Sequence, residues 1–597
     1  MIKSFLDKAK RGESVYLYEV REAFQSWAHQ IDCAVELVTG EIKTYCFPFP
    51  EATNDEEVAF VREYLHANLY NLISTLGGVK MTVAVQPGDE IAKMLSAELD
   101  EVFQTALPLS ARSGYGKCLN VTDRVNQAMG FPPFRFDLRE GILPEAAGDL
   151  GPESSGAVER FCETVKKAAG MTLCGMDIGG TDIKMIGVMG GRIRAFREYD
   201  WNPSRETCVE SILNPILLMV RVIRQALSLP DGGRAGELKR AMLDKYASYE
   251  ATLHAVEAAD AEFGEPILLD GIGVCFPDVV IRDRLVGGET LKTRALRAHS
   301  KTYETDFARL TGLKDLLSAQ CLPDGAVHIA NDGSLAAYTA AVELAHSSRA
   351  DEVKDGAFAH TLGTELGTGW INERGEIPDI PLEVYNCIID LGEYPARAHE
   401  PLDARSLLNF NTALPGTLQK YCSQSGAYRL AIEYFQADEP DRYKQLFQKG
   451  FLTEENGGVY VTTSPSDMRK ALLEHIMALA DEGDPAAERV FRKIGEYLAV
   501  TCRETEFILA PRANDRVLFG RFVKRQRCFE LMREGAARLF PARFFAADDD
   551  MAFTPLMLDL KADPTYTVAQ FGQAVGAAYY AVSCQNTPSF DSWAQAL

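Results

Sequence analysis

The clearest pattern in the chain is a change of period. From about residue 171, short apolar runs alternate with longer stretches whose apolar residues recur every three to four positions. The first pattern is that of buried strands, the second that of amphipathic helices. Met171–Met176, Ile183–Met189 and Arg192–Arg197 predict three strands, the last two joined by a tight turn at Gly190-Gly191. A long helix is predicted from about Arg205 to Leu227, then a polar, helix-prone insertion over Gly232–Gly264. Strands follow at Ile267–Cys275 and Val327–Ala330, the latter running into a helix over Leu335–Leu344. Phe358–Leu362 reads as a strand, with Trp370–Asn372 returning from its loop. Residues 395–512 read as mostly helical. A last strand, Arg516–Phe519, precedes helices over Lys524–Leu539 and Val568–Ser583. Strands alternating with helices predict an α/β fold.

Ahead of this lies a region of mixed signals, with an amphipathic helix over Glu56–Leu76 and a strand over Lys80–Val85. Residues 143–157 are rich in Pro, Gly, Ser and acid, which predicts a linker or exposed loop. The expected organisation is therefore an N-terminal α+β region over 1–150 and two α/β units. These span 171–345, with a helical insertion near 228–264, and 346–597, with a helical insertion near 395–490.

Charge narrows the partners. The 597 residues carry 62 Lys+Arg against 85 Asp+Glu, a net −23. So acidic a chain argues against nucleic acid, while a small anion held by backbone amides is allowed. The 13 Cys are scattered without a CxxC pair, which predicts reduced thiols. The first residues show no secretory pattern, and no stretch approaches the roughly 20 apolar residues of a membrane span. A cytoplasmic protein with no membrane partner is expected, and a homo-oligomer is left open.

Three strings carry the candidate chemistry. Asp177-Ile178-Gly179-Gly180-Thr181-Asp182-Ile183-Lys184 ends a buried strand in a carboxylate and turns through two glycines. Glycines at 179 and 180 let backbone N–H groups approach an anion, Thr181 adds a hydroxyl, and Asp177 stands where a hydrated Mg²⁺ beside phosphate needs a carboxylate. The alternative is a plain hairpin turn. Thr361-Leu362-Gly363-Thr364-Glu365-Leu366-Gly367-Thr368-Gly369 again links two strands and suits a second phosphate cradle. Asn331-Asp332 lies at a strand-to-helix junction. Asp332 there is either a general base toward a hydroxyl or, with Asn331, a helix cap. No phosphate loop ending in Gly-Lys-Ser/Thr, no HExxH, no dinucleotide glycine triplet after a strand and no Gly-x-Ser-x-Gly elbow occurs.

The order of these strings resembles the actin-like ATPase superfamily. Within it, residues 177–184, the strand Gly271-Ile272-Gly273-Val274-Cys275-Phe276-Pro277-Asp278 and Asn331-Asp332 before an Ala-rich helix resemble the repressor/ORF/kinase (ROK) family of sugar kinases. The 361–369 loop is similar to the phosphate loop of that family's polyphosphate/ATP glucokinase branch. Arg516–Gly520 takes the place of the adenosine-side strand, and Phe571–Ala578 that of the closing helix.

The resemblance implies two actin-like, ribonuclease H-like units facing a cleft. It implies ATP and Mg²⁺ as cofactors, a sugar-like small molecule as acceptor, and Asp332 as the base. Asp177 (with Mg²⁺ through water), Gly179, Gly180, Thr181, Lys184, Gly363, Thr364, Gly367 and Gly520 would hold nucleotide. Asn331, Asp278 and Glu383 would hold substrate, Glu383 standing where the family's Glu-x-x-His lies. An ordinary surface role for Glu383 is the alternative.

The chain also departs from the family. Asn386 stands in place of the His, the family's zinc cysteines are missing, Glu365 occupies a usual glycine position, and Arg521 follows Gly520. Lys292 and Arg294 either favour a charged acceptor or are solvated. Two functions compete: phosphoryl transfer to a sugar hydroxyl, and a sugar- or nucleotide-sensing regulator of the same fold with weakened turnover. An activase-type ATPase is a third and weaker alternative.

Overall fold

The computed structural model describes residues 1–141, 143, 156–287, 291–392, 408–455, 458–513, 515–541 and 543–583. Most of the expected linker at 143–157 and part of the insertion expected from 395 lie outside the described residues. The strands that build the three larger sheets are β1 (His29–Glu36), β2 (Ile42–Phe49), β3 (Lys80–Val85), β4 (Arg135–Glu140), β5 (Leu173–Ile178), β6 (Asp182–Met189), β7 (Arg192–Asp200), β8 (Leu269–Phe276), β9 (Cys321–Asn331), β10 (Ala357–Leu362), β11 (Leu366–Ile371), β12 (Arg516–Gly520) and β13 (Phe544–Ala546). Five helices bear on the site: α1 (Asp55–Leu76), α2 (Glu210–Ser228), α3 (Asp332–Ala345), α4 (Pro485–Leu509) and α5 (Val568–Ser583).

The second sheet runs β9-β8-β5-β6-β7. Its first three strands in sequence form an antiparallel meander, and β8 and β9 then add parallel to β5. The third sheet runs β11-β10-β12-β13, with β11 antiparallel to β10 and the other two parallel to it. It repeats the second sheet without the third meander strand. That strand order, used twice, is the ribonuclease H-like plan of the actin-like fold. We call the two sheets with their helices the first and second lobes.

The lobes exchange helices. α3 follows the last strand of the first lobe but packs on β10 and β11 of the second, while α5 lies across β5, β6 and β8 of the first. The exchange depends on glycine. A Cβ on Gly175 would lie 1.9 Å from the Ala574 carbonyl oxygen, and one on Gly273 1.7 Å from that of Ala577. With hydrogen there instead, α5 rests its backbone directly on the sheet.

The boundaries differ from the sequence reading in local ways. The helix expected from Arg205 begins at Glu210, because Pro203–Arg205 forms a separate 3₁₀ turn. The 228–264 insertion is two helices, Gly233–Leu243 and Tyr249–Phe263. The largely helical 395–512 stretch also holds a hairpin, Leu452–Glu455 with Gly458–Val461. α2 is long and apolar enough to cross a membrane by composition, but 72% of that window is buried inside the protein.

The N-terminal region folds as β2-β1-β3-β4 with α1 alongside. Asn54 caps α1 by accepting from the Glu57 N–H at 3.0 Å, and the Glu57 carboxylate accepts from the Thr53 N–H, one residue ahead of the cap, at 2.8 Å. This region is not set apart from the lobes. One continuous apolar core joins Phe24, Phe60, Tyr64 and Leu72 to Ile388, Tyr497, Leu498 and Leu518 of the second lobe. A smaller cluster joins Val38, Val125 and Met129 to Val279, Ile281 and Val286 of the first.

A buried ion pair fixes the larger interface. Arg21 donates to both Glu504 oxygens, at 3.0 and 2.8 Å, with side chains 5% and 1% exposed. Replacing one partner strands the other charge in the core, which costs about 3–5 kcal/mol. We expect Arg21→Met to lower the thermal midpoint and to open the N-terminal region to limited proteolysis. Unchanged melting and digestion would show that the pair does not hold the interface.

Candidate active site

The site is built where the parallel strands of the first lobe end. The register places Asp177 beside Cys275, and Cys275 beside Ala330, so Asn331 and Asp332 project just past the same edge. Ligands of open α/β sheets gather outside such carboxyl ends.

Asp177 is the next-to-last residue of β5, with only 8% of its surface exposed. Burial pushes its carboxyl up to about 6, against the pull of Lys184, and the charges of Asp182 and Asp332 push the same way. Lys184 pairs with Asp182. Burial opposes its charge, but Asp182 and Asp177 outweigh that and raise it. The glycine turn is held from outside. The Gly179 N–H donates to the Asp182 carbonyl at 2.8 Å, and the Trp201 indole N–H donates to the Gly179 carbonyl at 3.0 Å. Among the described residues the Gly180 and Thr181 N–H groups have no protein acceptor. They are the amides an anion would meet. Lys292 lies over the turn, its Cε 3.5 Å from where a Gly180 Cβ would stand.

Asn331 takes the capping role. Its Oδ1 accepts from the Gly333 N–H at 2.9 Å and the Ser334 N–H at 3.4 Å, and its Nδ2 donates to the Asp278 carbonyl at 2.9 Å. Both ends of the amide are thus in use, so the residue orders the junction whatever else it touches. Asp332 is different. Its Oδ1 accepts from the Gly333 N–H at 2.8 Å, and no described group donates to Oδ2. Its main-chain oxygen accepts from Gln573 Nε2 at 2.6 Å. Gln573 on α5, which sequence reasoning did not single out, therefore fixes the height of this junction.

The second loop meets the first site at Gly333. A Cβ on Gly333 would lie 2.3 Å from the Thr368 carbonyl oxygen, and one on Gly369 1.7 Å from that of Gly333. The start of α3 and the strand leaving the second loop thus touch backbone to backbone. Gly367 packs under Thr361, and Gly520 ends β12 beside Leu362. Gly363 N–H turns back to the Glu365 carbonyl at 3.2 Å, while the exposed Thr364 has an N–H with no acceptor among the described residues. Glu365 is drawn to one side by Gln419, whose Nε2 donates to it at 3.1 Å. Arg521 approaches Glu474 at 3.6 Å, forming a salt bridge.

Two more carboxyls face the same space. Asp278 is 3% exposed and pushed up to about 6 by burial, despite the Val279 N–H and the charges of Arg124, Lys292 and Arg297. Its Oδ2 has no hydrogen-bond partner. Glu383 accepts from Asn386 Nδ2 at 3.2 Å. Burial drives its carboxyl up to about 8, with Asp278, Asp332 and Glu365 adding repulsion. Asn386, found where the family has His, is therefore a partner of Glu383. Arg294 is exposed beside the Phe410 ring, and residues 288–290 before Lys292 lie outside the described residues.

The residues fit Mg²⁺ with a phosphate chain better than a resident metal. Among the described residues no group of three or more His, Cys, Asp or Glu could hold an ion. One buried carboxylate beside free amides is instead what Mg²⁺ needs when phosphates supply its other ligands. The unionised state of Glu383 suits a donor to a neutral hydroxyl. A carboxyl whose folded value is raised weakens the fold as pH climbs from its unfolded value toward its folded one, here toward pH 8. Glu383→Gln should flatten the fall in melting temperature between pH 5 and 8. An unaltered slope would show that Glu383 is not buried as a neutral acid.

No protein-family model and no curated protein matches the chain. Among solved structures it is similar to a ROK family glucokinase from Streptomyces griseus in complex with glucose and AMPPNP, at 18% identity and TM-score 0.40, covering 68% of this chain and 98% of that one. It is also similar to a glucokinase from Balamuthia mandrillaris in complex with glucose, at 13% identity and TM-score 0.38, covering 73% and 100%. A ROK family protein from Streptococcus pneumoniae in complex with sucrose matches at 14% and 0.36, covering 70% and 98%. Overlaps this loose transfer neither activity nor substrate; the strand order above carries the fold. The chain is thus an α/β protein of the actin-like ATPase fold, similar to solved structures that include a ROK family glucokinase, a ROK family protein and a further glucokinase, each of them shorter than this chain.

Proposed function

We propose that the protein transfers the γ-phosphoryl group of ATP, with Mg²⁺, to a hydroxyl of a sugar or sugar-like molecule. The observation that carries this reading is the meeting at Asp332-Gly333. There one carboxylate oxygen open to the cleft stands between the Asp177 turn and the Gly367–Gly369 return of the second loop. In this reading the free amides of Gly180, Thr181 and Thr364 hold phosphate oxygens. Lys184 and Lys292 balance negative charge near the first turn, and Asp332 Oδ2 takes the proton of the attacking hydroxyl. Asp278 and Glu383 orient the acceptor. Bound Mg²⁺ would neutralise charge on the phosphates, with Asp177 the residue placed to hold it through water.

Two observations favour the regulatory alternative: Asp182 already occupies Lys184, and Glu365 brings a further carboxylate to the second loop. A thermal-shift matrix of MgAMPPNP against glucose, mannose and sucrose separates the readings when paired with a transfer assay. The kinase reading expects cooperative stabilisation and phosphate transfer. Stabilisation by ligands with no transfer to any sugar would favour the regulator.

A further inference from the structure

The N-terminal region enters the acceptor side of the cleft. The last turns of α1 grip the segment that carries Glu383. Asn71 donates to the Ile388 carbonyl and accepts from its N–H, both at 2.8 Å. The Leu382 and Glu383 N–H groups donate to the Thr75 and Ser74 carbonyls at 2.9 and 3.1 Å. Between these elements lies a cavity of about 20 Å³, lined by Tyr70 and Ser74 of α1 and by Glu383, Asn386, Asn411 and Thr412 of the second lobe, with Lys117 also on its wall. That is room for about one water-sized polar group.

The lining has hydrogen-bonding capacity that the fold does not use. Tyr70 is fully buried and Ser74 is 4% exposed, yet their hydroxyl oxygens have no hydrogen-bond partner, nor does Asn411 Oδ1. Buried polar groups without partners are uncommon and costly, so three around one cavity call for a ligand group. Hydroxyls and amides make up part of the wall, Ile73, Val121 and Pro381 add apolar surface, and burial raises the Glu383 carboxyl beside them to about 8. Such a wall suits a neutral hydroxyl or hydroxymethyl group.

Resting on the kinase reading above, we propose that Tyr70 and Ser74 of the N-terminal region, with Asn411, form a specificity subsite that takes one hydroxyl or hydroxymethyl group of the acceptor next to Glu383. The N-terminal region would then select the sugar as well as brace the second lobe.

The test is calorimetric titration of the full chain with glucose, mannose and sucrose in the presence of MgAMPPNP, for wild type, Tyr70→Phe and Ser74→Ala. Each variant should weaken the sugar that binds wild type by about five- to tenfold, the worth of one neutral hydrogen bond. Affinity for MgAMPPNP should not fall, and the melting temperature should change little, since each variant removes a hydroxyl whose neighbours, Ser74 and Thr412 beside Tyr70, stand beyond close hydrogen-bond distance in the free protein. Unchanged sugar affinity in both variants would overturn the subsite and leave the kinase reading standing. Lowered melting with loss of both ligands would mark the hydroxyls as structural and overturn it too. No sugar binding to wild type would reject the acceptor reading, and the subsite with it.

Discussion

Asp332→Asn should bind MgAMPPNP and the acceptor sugar nearly as wild type does and lose about 10²–10⁴-fold in turnover. That range is the worth of a positioned general base. The substitution keeps the shape of the side chain. It also keeps an oxygen that can accept from the Gly333 N–H, the contact that Asp332 Oδ1 makes at 2.8 Å. The α3 start should therefore stay against Thr368 and Gly369. What disappears is the free Oδ2 lone pair at the cleft. Steady-state kinetics with a coupled ADP assay reads the loss, and calorimetry reads the binding. Near-normal turnover would remove Asp332 from catalysis and return it to the helix-capping role.

The second large effect concerns stability. Gly273→Ala puts a methyl 1.7 Å from the Ala577 carbonyl oxygen, with the Ala577 carbonyl carbon at 2.4 Å. Both are backbone atoms of α5, so no flexible side chain can give way. α5 must lift from β8, and the packing of Ala574, Ala577 and Ala578, all fully buried, goes with it. Overpacking of this kind costs about 1–3 kcal/mol where side chains can adjust, and more where backbone must move. Gln573 sits on the same helix and holds the Asp332 carbonyl, so activity should fall even in the folded fraction. A melting temperature several degrees lower, with weakened MgAMPPNP binding, is the expected result. A variant that melts and binds as wild type would show that the lobes are not coupled through α5.

The first lobe was largely legible because its meander is local. Alternating apolar residues, a Gly-Gly turn and a strand ending in Asp177 are neighbours in sequence, and each enforces the next. The turn at Gly190-Gly191 has both glycines at positive φ, +62° and +68°, as a two-residue hairpin requires. Long-range pairings left weaker signals. Nothing within a short window marks Trp201 as the staple of the glycine turn, or Gln573 as the clamp on Asp332. The link from Asn331 to the Asp278 carbonyl spans 53 residues. The hairpin at 452–461 hid inside a helical stretch because its strands are four residues each, too short for alternation to register.

The sequence sets the N-terminal α+β region apart only through the Pro-, Gly-, Ser- and acid-rich stretch at 143–157. The structure spends part of that region's apolar surface on the second lobe. Polar residues on α1 that look ill-suited to a buried helix, such as Asn68, Asn71 and Ser74, are the ones facing Arg21, Ile388 and the cavity. Buried polar residues of that kind are recognisable only once their partners are in view.

The most direct measurement is ³¹P NMR of the full chain incubated with ATP, Mg²⁺ and each of glucose, mannose and sucrose. The account predicts a new phosphomonoester resonance with at least one sugar, growing in step with ADP and abolished in Asp332→Asn. Release of inorganic phosphate in place of the ester, or intact ATP with every sugar, would contradict it.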